Sequence, residues 1–109
     1  TREAFVCISK TMTDAGFSVL PYHNHVPTLG DWGFVLGVEE DLLSPSGLMA
    51  NLLKVSYDGI ETKFLNQDAV KGMVRFGKQT FFGADEVLVN EERKPVLHEY
   101  YRQGRWEVY

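Results

Sequence analysis

His23 and His25 stand two residues apart, and Asp31 follows a short way on. Residues two apart on an extended backbone face the same side. Two imidazoles so placed could ligate a metal, with Asp31 or His98 as a third ligand. The pair lacks the spacing of a recognised zinc motif, and the competing reading is loop histidines hydrogen-bonded to backbone. Asp31 is either a solvated turn carboxylate or an anion suited to a cationic ligand. Its neighbour Trp32 can wall a pocket by lying against methylenes or an ammonium, or can pack in the core beside Phe34. Tyr100 and Tyr101 fit helix packing better than a site. Glu39-Glu40-Asp41 reads as a solvated run that ends a strand. Cys7, the only cysteine, lies among Phe5, Val6 and Ile8, which points to a buried, inert thiol.

The chain that must position these groups has 109 residues, enough for one small domain with a thin stability margin. Its 44% hydrophobic and 13% aromatic content excludes general disorder. The formal net charge of −4 comes with no Lys/Arg run, which argues against nucleic acid as a partner. One cysteine excludes an internal disulfide framework and fits a reducing, cytoplasmic compartment. No apolar run is long enough to span a membrane. The chain starts at Thr1, inside a helical pattern, and the expectation is a fragment of a longer protein.

Phe5, Ile8, Met12 and Ala15 recur at helical spacing, and Gly16 follows as a stop. Phe17 to Tyr22 predicts a strand with Pro21 at its end or on an edge. His23 to Asp31 reads as a loop, and Trp32 to Val38 as a second strand buried on both faces. A loop of that length permits an antiparallel pair. Ser44-Pro45-Ser46-Gly47 reads as a loop with a helical turn on each side, and Asp58-Gly59 as a turn. Thr62 to Leu65 predicts a short extended piece. Asn66 caps a helix carrying Ala69, Val70, Met73 and Val74. Val87-Leu88-Val89 reads as a brief strand or extended segment. Pro95 opens a last helix with Val96, Leu97, Tyr100 and Tyr101 inward, ended by Gly104. Two strands alone are marginal in water, so further sheet is expected elsewhere.

The stretch Tyr22-His23-Asn24-His25-Val26-Pro27-Thr28-Leu29-Gly30-Asp31-Trp32-Gly33-Phe34-Val35-Leu36 resembles the late segment of spermidine synthases, where a Val-Pro-Thr-like loop leads into a Gly-Phe strand. It is similar to the bacterial branch in which the synthase domain follows an N-terminal membrane domain. Thr62 to Val70 and Val89 to Tyr101 resemble later parts of the same family. The resemblance implies an α/β fold: the C-terminal fragment of a Rossmann-like, methyltransferase-type domain, ordered as helix, antiparallel strand pair, then mainly helices. Residues 1–109 are then one partial domain, with 1–38 the end of the sheet and 39–109 a helical tail.

The implied reaction moves an aminopropyl group from decarboxylated S-adenosylmethionine to a diamine such as putrescine. In this family the cofactor's Gly-rich loop and the acidic catalytic loop precede this region, and neither pattern occurs here. The fragment is therefore expected to hold no cofactor, no metal and no catalytic group, and to be inactive alone. In open α/β sheets, ligands bind beyond the carboxyl ends of the parallel strands. The resemblance implies that Phe17 to Tyr22 is one of those parallel strands, which makes Thr28, Leu29, Gly30, Asp31 and Trp32, in the loop beyond it, the expected substrate-binding residues. Many soluble members carry a Tyr after the Pro-Thr pair, where Leu29 stands. Expected partners are the diamine, the rest of the parent chain and further copies of the protein as a homo-oligomer. In the membrane-domain branch, the parent would be tethered from upstream. The alternatives are a non-catalytic α/β binding or oligomerisation module and a small-ligand regulatory domain.

Overall fold

Thr1 opens the first helix. Its hydroxyl accepts a hydrogen bond from Ala4 N at 3.2 Å, satisfying one of the donors that a helix start leaves unpaired. Helix α1 runs Arg2–Asp14 in this computed structural model, which describes residues 1–103. Gly16 ends it with φ +97°, a conformation that favours glycine.

Strands β1 (Phe17–Val26) and β2 (Gly30–Glu39) form an antiparallel hairpin, in register from Phe17 opposite Glu39 to Val26 opposite Gly30. The strands are longer than the sequence predicts. His23 to Val26 continue β1, Gly30 and Asp31 begin β2, and only Pro27-Thr28-Leu29 connects them. The polar His-Asn-His run hides strand character that its pairing with β2 supplies. Glu40 N donates to Gly16 O at 3.1 Å. Continued along the register, that bond points the even-numbered backbone groups of β1 toward β2 and the odd ones away. Pro21, opposite Val35, thus lacks its N–H where no ladder bond is needed, and it blunts the outer edge of β1. The outer edge of β2 carries no proline.

The hairpin turn closes with Leu29 N donating to Val26 O at 3.0 Å, with Pro27 and Thr28 at its centre. Such a turn asks for positive φ at its third residue, and Thr28 has φ 69°. A β-branched residue there is strained. Replacing Thr28 with Gly is expected to stabilise the protein by about 1 kcal/mol, the strain released less the entropy a glycine loses. A urea midpoint that falls in Thr28→Gly would show that the threonine side chain is held by contacts worth more than the strain.

Helices cover both faces of the hairpin. On one face, Phe5 of α1 lies over Gly33 and Met12 over Gly37, so close that a Cβ at either glycine would sit 2.6 Å from the ring or 2.4 Å from the methionine methyl. On the other, Leu20, Tyr22 and Leu36 face helices α2 (Pro45–Lys54) and α3 (Gln67–Met73) across an apolar cavity of about 210 Å³. Tyr22 and Phe34, opposite each other in the register, stack at 5.2 Å.

Helix α1 also has a second buried side, which the single stripe in the sequence does not announce. Val6 and Cys7 pack with Val87, and Ala84, Val96, Leu97 and Tyr100 close around them. Cys7 is a free thiol with no exposed surface. Lys10 Nζ donates to the carbonyls of Ala84 (3.0 Å) and Val87 (2.6 Å), and Thr11 Oγ1 accepts from Asn90 N at 2.9 Å. These bonds fasten the tail to α1.

Several local expectations give way. Ser44-Pro45 is the start of α2: Ser44 Oγ accepts from Gly47 N at 3.1 Å and Pro45 occupies the first turn, where its missing N–H costs nothing. Thr62 to Leu65 bend at Lys63 and Phe64 instead of extending, and Val87 to Val89 form no strand, although Val87 itself is extended with φ −79° and ψ 128°. Helix α4 (Leu97–Gln103) turns Tyr100 inward, where its hydroxyl accepts from Leu88 N at 2.9 Å, but leaves Tyr101 exposed. Gly104 lies outside the described residues. Asn66 caps α3 as expected, its Oδ1 accepting from Ala69 N at 2.8 Å. The architecture is mixed α/β: helix, antiparallel pair, then helices. No described helix is long and apolar enough to cross a membrane.

Candidate functional site

A hairpin that carries polar residues on one side of its tip needs something to satisfy them. In β1, His23 and His25 fall on the face that α1 covers further down, and His25 lies opposite Asp31 in β2. His23 and Asp31 are diagonal neighbours across the pair, within reach of long or planar side chains. His23 Nδ1 lies 2.9 Å from Asp31 Oδ1 and 3.1 Å from Oδ2, so one N–H spans both carboxylate oxygens. The other ring nitrogen, Nε2, meets the backbone carbonyl of Arg75, just past α3. Both partners are acceptors only, so the ring makes both bonds at once only when each nitrogen carries a hydrogen. The imidazole also packs on Phe76 at 4.7 Å, and Phe76 in turn meets Phe5 and Phe81. A side chain on the hairpin is thereby tied to α1 and to the segment after α3.

Beside this pair opens a cleft of about 350 Å³ lined by His23, Asn24, His25, Asp31, Phe64, Ala69, Gly72 and Met73. Its polar lining comes from the hairpin and its apolar lining from α3 and the segment before it. Such a mixture suits a ligand with a cationic end and an aliphatic body. The cavity behind α2 and α3 has no charged group in its lining.

The five residues singled out in sequence do not form one wall. Asp31 lines the cleft with its side chain about half exposed. Trp32, the next residue in an extended strand, projects from the opposite face and is 48% exposed, neither in the cleft nor in the core. Thr28 and Leu29 sit at the exposed hairpin tip, and Gly30 begins β2 with φ +91°. The reading of His23 and His25 as a metal pair meets a direct obstacle: both nitrogens of His23 are already engaged. Among the described residues, no three His, Cys, Asp or Glu side chains converge on a common point. Glu39, Glu40 and Asp41 are exposed at the far end of β2.

Sequence reasoning missed the His23–Asp31 bond and the contribution of Phe64, Ala69, Gly72 and Met73. The first was readable: a hairpin centred on Thr28 places His23 diagonal to Asp31. The second depends on how α3 docks, which no local pattern specifies.

No family model matches the chain, and no solved structure does. Curated proteins do. A protein named polyamine aminopropyltransferase 2 from Aquifex aeolicus is 34% identical over 104 residues, covering 92% of this chain and 18% of its own length. The polyamine aminopropyltransferase of Shewanella oneidensis is 28% identical over 103 residues, covering 94% of this chain and 17% of its own. Curated homologues named polyamine aminopropyltransferase thus cover most of this chain. A polyamine aminopropyltransferase from Mycobacterium tuberculosis is 52% identical over a shorter stretch of 42 residues, 38% of this chain and 8% of that protein. The chain thus spans less than a fifth of the length of the first two relatives. Its helix, antiparallel pair and following helices are consistent with part of the methyltransferase-like fold that the resemblance implies.

Proposed function

We propose that this chain is the C-terminal part of an enzyme that transfers an aminopropyl group from decarboxylated S-adenosylmethionine to a diamine such as putrescine. The observation that carries the reading is the match to proteins named polyamine aminopropyltransferase over more than nine-tenths of the chain. In the reaction, an amine nitrogen gives its lone pair to the carbon next to the sulfonium. The C–S bond breaks toward sulfur, leaving a neutral thioether, and the amine loses a proton to a base. The groups that bind the donor and take that proton belong, in this proposal, to the part of the enzyme that precedes this segment. Residues 1–109 are one partial domain in this proposal, with 1–38 closing the sheet and the described part of 39–109 forming the helical tail.

The hairpin and α3 supply one wall of the amine-acceptor site. Asp31 offers a carboxylate to one ammonium, while Phe64, Ala69 and Met73 offer apolar surface to the methylenes. Thr28, Leu29 and Gly30 shape the tip above it, and Trp32 faces a neighbouring part of the enzyme. The sheet continues across the outer edge of β2, the one free of proline. Where that partner is missing, the same edge pairs copies of the chain, which is the basis for proposing a homo-oligomer. A cytoplasmic location belongs to the same reading, since Cys7 is buried as a free thiol.

The test is product formation. The full-length protein, given decarboxylated S-adenosylmethionine and a series of diamines, is expected to yield the aminopropylated amine and the thioether, detected by mass spectrometry. The 109-residue chain alone is expected to show no transfer and no calorimetric binding of the donor. Absence of transfer with every diamine would overturn the reaction. Tight donor binding by the 109 residues alone would overturn the division of labour.

A further inference from the structure

His23 and Asp31 both line the cleft, and the geometry of the bond between them says more than that the two residues touch. A carboxylate on an exposed strand near a hairpin tip would by itself sample several rotamers. Here one imidazole N–H spans both oxygens, at 2.9 and 3.1 Å, which fixes the plane of the carboxylate. A carboxylate has about four lone-pair sites, so outer ones remain for a second donor. The imidazole is itself immobilised by the Arg75 carbonyl on its other nitrogen and by the Phe76 ring, 4.7 Å away. Phe76 is held in turn against Phe5 at 5.8 Å and Phe81 at 5.0 Å. The chain of contacts runs from the helix under the sheet to one carboxylate at the cleft.

We propose that His23 is a positioning residue of the amine-acceptor site. It holds the Asp31 carboxylate in one orientation toward a primary ammonium of the acceptor, and it keeps the hairpin at a set distance from the end of α3. The proposal rests on the reading that this cleft takes the amine. A preset carboxylate binds an ammonium more tightly because its ordering cost is already met within the fold. The two ring nitrogens have separate tasks, Nδ1 toward Asp31 and Nε2 toward Arg75, and two substitutions separate them. The amide nitrogen of Asn falls near the place of Nδ1, and that of Gln near the place of Nε2.

The experiment compares His23→Asn, His23→Gln and Asp31→Asn in the full-length protein, reading KM for the amine, kcat and the thermal midpoint. His23→Gln loses the donor toward Asp31. It is expected to raise the amine KM about tenfold, the scale of one lost charge-assisted hydrogen bond, with a smaller effect on kcat. His23→Asn keeps that donor. It is expected to hold the amine KM near that of the wild type while lowering the thermal midpoint, because the tie to Arg75 is gone. If both variants shift KM together, in step with their midpoints, His23 is structural and the proposal falls. If Asp31→Asn raises the amine KM and His23→Gln does not, the site reading stands and the proposal alone falls. An amine KM unchanged in Asp31→Asn overturns both.

Discussion

Gly33→Val is expected to destabilise the protein by about 3 kcal/mol, the upper range for overpacking, because the new side chain runs into the Phe5 ring. A Cβ at Gly33 would lie 2.6 Å from Phe5 Cδ1 and 2.9 Å from Cε1 and Cγ, so the whole ring stands in the way. That ring cannot swing aside cheaply, since Phe76 and Phe81 pack on it at 5.8 and 5.9 Å. Valine's better strand propensity returns at most about 1 kcal/mol. The contrast is Gly37→Ala. There the new Cβ meets the terminal methyl of Met12, the end of a flexible side chain that can choose another rotamer. Its cost is expected to stay under about 1 kcal/mol. Urea unfolding of the two variants checks the pair. Equal midpoints would mean that α1 shifts as a unit and that the Phe5–Phe76–Phe81 cluster is not the rigid floor under His23. Loss of about 3 kcal/mol is roughly a hundredfold in the folding equilibrium, a large share of what a small domain has.

The same contact shows why part of this fold is legible in the sequence and part is not. The stripe Phe5, Ile8, Met12 predicts the helix and the side that meets the sheet, and Gly16 predicts its end. The second buried side, Val6 and Cys7 against Val87, comes from tail residues some eighty positions away, and local periodicity carries no trace of them. Strand pairing was readable, strand length was not: the His23 to Val26 segment looks polar until the register sets it opposite Gly30 to Gly33. Ser44-Pro45 reads as a loop by composition yet caps α2, because the residues that favour turns also favour helix starts. At the site, the sequence singled out Asp31 and Trp32 as neighbours. Strand alternation separates them onto opposite faces, and only Asp31 reaches the cleft. The partner it acquires, His23, reads in sequence as one of a pair of possible metal ligands, a role that its two engaged nitrogens oppose.

The central claim is that the β1–β2 hairpin contributes to the amine-acceptor site of an aminopropyltransferase, and Asp31→Asn tests it most directly. Asparagine keeps the size of the side chain and removes its charge. A hydrogen bond from an ammonium to a buried carboxylate contributes about 1.5–3 kcal/mol. Asp31 is about half exposed and shares its oxygens with His23, so solvent screening lowers the expectation to about 1–2 kcal/mol. That corresponds to roughly a five- to thirtyfold loss of kcat/KM for the amine. Efficiency toward the aminopropyl donor at saturating amine should change far less, because the proposed function assigns the donor's groups to another part of the enzyme. Glu39→Gln, at the exposed far end of β2, is the control and should leave both efficiencies unaltered. The measurement is the initial rate of the full-length protein against amine concentration at saturating donor. The account predicts a right-shifted amine curve for Asp31→Asn alone. An amine curve that overlays the wild type, while neutralising a carboxylate in the preceding part of the enzyme abolishes the rate, would contradict it and leave the hairpin a purely structural element.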